Sequence, residues 1–194
     1  MPHPALAAFL DGKTSSRAKL SQLPRQLRFA ARLRRPKTAL RLHLGCGAQH
    51  IAGFVNIDMK ITGATDYVTD ISRLPCPDRS VERIETYHVI EHIPHPSAPL
   101  VLGEWRRVLQ PGGILVVECP DFDEAVRRYL AGDEQLLSSI YGLQRYDGDT
   151  HYYGYNMLRL EQLLLSCGFS AVTPGVAQDY HASSEPCLRV EALA

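Results

Sequence analysis

Two short stretches crowd the side chains best suited to proton transfer. YHVIEHIPH (87–95) holds His88, Glu91, His92 and His95, and GDTHYYGY (148–155) holds Asp149 and His151. Histidine changes protonation near neutral pH and is the usual general base toward a hydroxyl. His92 and His151 are the candidate catalytic residues. The competing reading of His92 is a ring whose hydrogen bonds fix its own loop, with Glu91 orienting that ring or facing water. His151 can instead bind substrate, or stabilise a loop rich in hydrogen-bonding aromatics that by sequence covers an acceptor pocket. His88, His92 and His95 would share one face of a helix and could then bind a metal. Pro94 and Pro96 oppose that helix, so no metal site is expected. Asp121, in CPDF, suits a helix cap better than a substrate contact.

A third stretch, RLHLGCGAQHIAGFVNID (41–58), suits a ligand rather than a reaction. Gly45 and Gly47 allow a tight turn and close approach of backbone to ligand. A dinucleotide fold would follow them with a helix, a third glycine, and an acid roughly 20 residues on. Here Gln49-His50 replaces the glycine, and Asp58 follows Gly47 by 11 residues. That disfavours a pyrophosphate and suits a nucleoside without phosphates. Asp58 can accept hydrogen bonds from both ribose hydroxyls, and Asp70 can accept one from an exocyclic amino group such as that of adenine.

The elements that position these residues follow from the apolar pattern. Strands are expected at 40–44, 53–57, 66–69, 81–88, 114–119, 169–173 and 188–193, and helices at 98–109, 121–131, 134–141 and 156–167. Pro111-Gly112-Gly113 reads as a helix stop followed directly by a strand. Residues 142–154 read as an ordered loop. This alternation predicts an α/β fold with a mainly parallel sheet. The crossovers after strands one and two are too short for full helices and should hold turns or loops.

A basic segment precedes the first strand. Residues 1–57 hold ten Lys/Arg against one acid, whereas 58–194 hold eleven against twenty. Residues 1–12 are expected to be loose. Residues 15–35 suit an amphipathic helix that packs Leu20, Leu23 and Leu27 on the domain; Pro24 kinks it or starts a second helix, and Pro36 ends it. The division is then a basic N-terminal helical extension, 1–38, and a domain, 39–194. The extension either leaves its Arg residues in water or meets an anionic surface or protein partner. Its Arg-rich, acid-poor character also suits an organelle presequence. The five scattered cysteines form no CxxC and read as reduced thiols of a cytosolic protein. No apolar run is long enough to span a membrane, and the N-terminus does not read as a secretory signal.

LHLGCG, VNID, VTDISRLPCPDRSVERI, YHVIEHI, EWRRVLQPGGILVVECPDF and DGDTHYYGYNMLRLEQLLLSCGF occur in this order. Together, over about residues 40–194, they resemble class I S-adenosylmethionine-dependent methyltransferases, and most of all the small methyltransferase type 11-like proteins often linked to polysaccharide or secondary-metabolite pathways. The resemblance implies a Rossmann-like, mainly parallel seven-stranded sheet with an antiparallel last strand. It implies S-adenosyl-L-methionine over the carboxyl ends of strands one to four. Gly45, Cys46 and Gly47 would then face its methionine part, Asp58 and the adjoining Met59 its ribose, and Asp70 and Ile71 its adenine, with His88 closing the site. His43 stands where many members carry an acid that helps bind the ligand's amino group. The expected activity is methyl transfer to oxygen of a small-molecule or glycan acceptor. The alternative is a catalytically silent module that docks to a partner through its basic helix. Nucleic-acid substrates are disfavoured. The Asp/Asn-Pro-Pro-aromatic motif of amino-methylating enzymes is replaced by YHVIEHI, and Pro75-Cys76 follows strand three rather than strand four.

Overall fold

A computed structural model describes residues 16–194 apart from residue 147, with side chains from residue 23 onward. Residues 1–12, expected to be loose, lie outside the described residues. Helix α1 (Ser16–Arg34) leads into β1 (Leu40–Leu44), β2 (Val55–Asp58), β3 (Tyr67–Val68) and β4 (Val81–Tyr87). Then come α2 (Ala98–Val108), β5 (Leu109–Pro120), α3 (Phe122–Leu130), α4 (Leu137–Tyr141), α5 (Met157–Ser166), β6 (Ser170–Gly175) and β7 (Cys187–Leu193). The seven strands form one sheet in the order β3-β2-β1-β4-β5-β7-β6. β1 to β5 run parallel, and β7 pairs antiparallel with both β5 and β6. No helix among the described residues is long and apolar enough to cross a membrane.

The two faces of this sheet differ, because side chains alternate along each strand. On one face Leu42, Val55, Ile84, Leu115 and Ala192 stand in register, all buried. Trp105, Leu102 and Leu160, from α2 and α5, belong to the same core. The opposite face carries His43, Asn56, Glu85, Glu118 and Arg189, also buried. Here the guanidinium of Arg189 lies 3.1 Å from Glu118 and 3.5 Å from Glu85, and Arg83 donates to Glu85 at 2.6 Å. Buried charges persist only when paired and hydrogen-bonded, and this ladder meets that condition.

As expected, no helix occurs between β1 and β2 or between β2 and β3, nor between β3 and β4. Side chains tie these crossovers together instead. Asn56 Oδ1 accepts the Ile51 amide at 2.8 Å and the Nδ1–H of His43 at 3.0 Å. Its amide group donates to the Ile51 carbonyl and to Asp66 Oδ2. Burial holds His43 below the ordinary imidazole value, so it is a neutral donor joining β1 to β2.

Asp66 gathers the same network. It accepts from the Asn56 backbone and side chain at 3.0 Å each and from Arg25 of α1 at 2.5 Å. Burial alone would raise its pKa, but these hydrogen bonds outweigh burial and hold it below the ordinary 3.8. A carboxylate depressed in the folded state contributes stability that is present above its unfolded pKa and lost as pH falls through the folded one. Asp66→Asn is therefore expected to be less stable at neutral pH, and to lose less stability than the parent below about pH 4. Urea unfolding across a pH series reads both effects.

Helix α1 is continuous through Pro24, neither broken nor restarted there. Its packing differs from the expected leucine stripe. Leu27 is 62% exposed, while Phe29 and Leu33 are buried; the Leu20 side chain lies outside the described ones. The buried face is Gln26, Phe29 and Leu33, spaced three and four apart. Gln26 explains the shift: its Oε1 accepts the Val68 amide at 2.9 Å, and its Nε2 donates to the Asp66 carbonyl at 3.4 Å. The helix thereby satisfies the open edge of β3, which has no further strand beside it.

Other boundaries move by a few residues. β2 begins at Val55 and ends at Asp58, and β4 stops at Tyr87 because His88 turns to φ +53°. β5 begins at Leu109, ahead of Pro111-Gly112-Gly113, because Leu109 already pairs with Val81. The ladder then slips across the proline and glycines as a bulge, and a Cβ on Gly113 would lie 2.8 Å from the Gln110 carbonyl.

Candidate active site

The loops at the carboxyl ends of β1, β2 and β4, where a parallel sheet presents its ligand sites, border the candidate crevice. Gly45 and Gly47 both take left-handed φ, at +69° and +51°. They do different jobs. A Cβ on Gly45 would lie 2.3 Å from Cγ2 of Val89, so this glycine lets the β1 loop pass the β4 loop. A Cβ on Gly47 meets nothing within 4 Å, so Gly47 borders open space. Gly45→Ala is expected to destabilise the fold by about 2 kcal/mol or more, from strain plus overlap, and Gly47→Ala by about 1 kcal/mol from strain alone. Thermal melts of the two variants check the order.

Asp58 ends β2 on the far side of that space. Its Oδ2 accepts the Gly47 amide and its Oδ1 the Lys60 amide, each at 2.8 Å. Each oxygen keeps a lone pair, so the carboxylate still accepts from a vicinal diol. Met59 is 59% exposed beside it. Asp70 is exposed beyond β3, with one oxygen on the Ser72 amide. Ile71 is half-buried, and the Trp105 indole N–H holds its carbonyl at 3.0 Å. Cys46 contributes backbone to the crevice: its side chain is buried near Thr65, and burial pushes the thiol up to about 12. One glycine with room beside it, a diol-accepting acid and a second exposed acid fit an adenosyl ligand.

Past β4 the histidines separate into two groups. His88 is held between Glu91 and Cys187, with Nδ1 3.3 Å from Glu91 Oε1 and Nε2 3.6 Å from Cys187 Sγ. Its ring lies 3.9 Å from that of His181. Burial would lower its pKa, but the Cys187 and Glu91 partners outweigh burial and push it up to about 10. His92 and His151 meet edge to face, with ring centroids 4.7 Å apart. His92 Nδ1 bonds the Thr150 carbonyl at 3.0 Å and His151 Nδ1 the Ser139 carbonyl at 2.9 Å. A carbonyl only accepts, so in the neutral rings both Nδ1 atoms carry the proton and both Nε2 lone pairs are free. Burial keeps His151 below the ordinary imidazole value, with the Glu91 carboxylate opposing it. His95 stands apart, stacked on Tyr153 at 3.9 Å. The β4 loop forms only single 3-10 turns at Ile90–His92 and His95–Ser97, so His88, His92 and His95 share no helical face.

The loop after α4 touches both the loop after β2 and the loop after β4. Its Tyr146 ring centroid lies 3.2 Å from Lys60 Nζ, close to Asp58, while its other limb brings His151 to His92. The Tyr152 amide donates to the Glu91 carbonyl at 2.8 Å, fastening that limb to the β4 loop. Arg145 forks onto Asp149 at 2.8 and 3.1 Å, so Asp149 closes the loop on itself. Asp121 caps α3 through the Glu124 amide, as its sequence position suggested. Sequence reasoning missed His181, Glu185 and Cys187. They come from the β6–β7 connection and the first residue of β7, and no motif links residues so far apart; His88 and Cys187 are 99 positions distant.

The strand order and directions are the fold of class I S-adenosylmethionine-dependent methyltransferases. Residues 56–117 match the family model described as a methyltransferase domain. A 60-residue segment is 42% identical to an uncharacterized 37.1 kDa protein in transposon Tn4556 of Streptomyces fradiae, covering 31% of this chain and 17% of that protein. The aligned part is thus about a sixth of that relative's length. Among solved structures, a SAM-dependent methyltransferase of Methanosarcina mazei matches with TM-score 0.57 and 18% identity, over 82% of this chain and 94% of that one. A SAM-dependent methyltransferase of Archaeoglobus fulgidus matches with TM-score 0.53 and 13% identity, over 93% and 100%.

Proposed function

We propose that this protein transfers a methyl group from S-adenosylmethionine to an oxygen of a small-molecule or glycan acceptor. One juxtaposition supports the reading: Asp58 accepts the Gly47 amide beside open space after β1 and β2, and His92 and His151 meet, each with a free Nε2, on the loops after β4 and α4. The bound cofactor supplies an electrophilic methyl on a sulfonium. In this reading Asp58 holds the ribose hydroxyls, Gly45 to Gly47 the methionine part, and Asp70 and Ile71 the adenine edge. Alignment of nucleophile and methyl is the main requirement of such a displacement, and the loop spanning residues 142–154 excludes water while it is met. His151, neutral at neutral pH, receives the acceptor's hydroxyl proton at Nε2, with His92 beside it and the buried Glu91 carboxylate favouring the cation that forms. The five free thiols agree with a reducing, cytosolic setting.

Calorimetric titration with S-adenosylmethionine, and separately with S-adenosylhomocysteine, tests the first half. Saturable one-to-one binding is expected. No binding of either would overturn the reading and favour a silent module that docks through α1. Transfer of labelled methyl to a panel of alcohols and saccharides, compared with a panel of amines, tests the second half.

A further inference from the structure

We propose that Glu91, His92 and His151 form a binding site for one divalent transition-metal ion of the zinc class. One ligand atom from each residue lies within 4.8 Å of the other two. Two imidazoles and a carboxylate are the donor set such ions take, with a further position left for water or substrate. The two rings are already set for the task. Backbone carbonyls of Thr150 and Ser139 hold their Nδ1 protons and leave both Nε2 lone pairs unpartnered. Fixing the ring tautomer through the second nitrogen is how proteins commonly prepare a histidine ligand.

The independent sign is Glu91. Its side chain is 2% exposed, and neither carboxylate oxygen accepts a hydrogen bond from any described residue. His88 Nδ1 approaches Oε1 to 3.3 Å and supplies one countercharge, but Oε2 is left without a hydrogen-bond partner among the described residues. A buried carboxylate oxygen left unbonded is costly and calls for a partner. A cation between it and the two free imidazole nitrogens is such a partner. The half-exposed rings of His92 and His151 give the ion a way in. Tetrahedral ligands sit about 3.3 Å apart around zinc, so the three close by small side-chain rotations. A second cluster, His88, His181 and Glu185, lacks this sign, because His88 is engaged by Glu91 and Cys187 and His181 Nδ1 by Asp179.

The inference rests on the proposed function and revises one step of it, the proton acceptor, at the same pair of histidines. With the ion bound, their lone pairs are no longer open to a proton, and an acceptor oxygen would meet a cation instead of a base. The test does not depend on turnover. Tag-free protein, stripped with chelator and desalted, is titrated with cobalt(II) chloride and followed by its visible d–d bands, with zinc chloride as competitor. The expected result is about one cobalt per chain, displaced by zinc, with binding weakened more than about 100-fold in His151→Ala and in Glu91→Gln. His151 lies on the surface loop, so its variant reads the site even if Glu91→Gln does not fold. Absence of bands in the parent protein, or bands unchanged in His151→Ala, would overturn the inference. S-adenosylhomocysteine titration of the same preparations separates the two readings, since nucleoside binding without cobalt binding defeats this inference alone.

Discussion

Arg189→Ala is expected to destabilise the protein by about 3–5 kcal/mol, the usual result of removing one partner from a buried ion pair. The Arg189 side chain is 5% exposed and its partner Glu118 is fully buried. Glu118 also accepts the Gln178 and Asp179 amides, so these groups fasten the β6–β7 connection to β5. Without the guanidinium, the Glu118 carboxylate keeps its amides but loses its countercharge. Glu85 loses the same cation at 3.5 Å and keeps Arg83 and the Tyr87 hydroxyl. For a chain of this length the loss corresponds to about 10 °C or more in a thermal melt. Arg189→Met, which retains the aliphatic stem, separates charge from packing. A double variant, Arg189→Met with Glu118→Gln, should recover part of the loss, because it removes both charges together. Equal melting of Arg189→Ala and the parent would mean that the polar face of the sheet carries no structural load.

Asp58→Ala is expected to weaken S-adenosylhomocysteine binding by about 10- to 100-fold while leaving the melting temperature nearly unchanged. A hydrogen bond to a charged group is worth about 1.5–3 kcal/mol, and each 1.4 kcal/mol is tenfold in affinity. The fold should tolerate the change, because Asp58 is only partly buried and its two amide partners, Gly47 and Lys60, are exposed enough to turn to water. Calorimetry reads the affinity and a melt reads the fold. Unchanged affinity would remove the ribose from Asp58. Lost affinity with a lowered melting temperature would instead assign Asp58 to holding the β1 loop through Gly47.

Both variants probe features that were unequally visible in the sequence. LRLHL and LRVEAL show the alternation that makes one sheet face apolar and the other polar, whereas VERIETY, with Val81 and Ile84 three apart across a bulge, does not. The glycines, Asp58 and Asp70 were legible too, because a strand end followed by glycine or an acid is a local pattern. The packing of α1 was not. Leucine spacing pointed to Leu20, Leu23 and Leu27, but the unpaired edge of β3 recruited Gln26 to satisfy its backbone. A sequence does not show which strand ends at an open edge.

The amino-acid sequence by itself determined the order of strands and helices, the helix-free crossovers, and the glycines and acids that end β1, β2 and β3. Each depends on neighbours within a few positions, through backbone preference, side-chain alternation and chain length. Only the tertiary structure decided how the histidines group. It turned His88 out of β4 onto Cys187, set His95 against Tyr153, and brought His151 beside His92 across 59 positions of chain. Those meetings depend on where the loop after α4 closes, which the Ser139, Thr150 and Glu91 carbonyls fix through hydrogen bonds between distant segments.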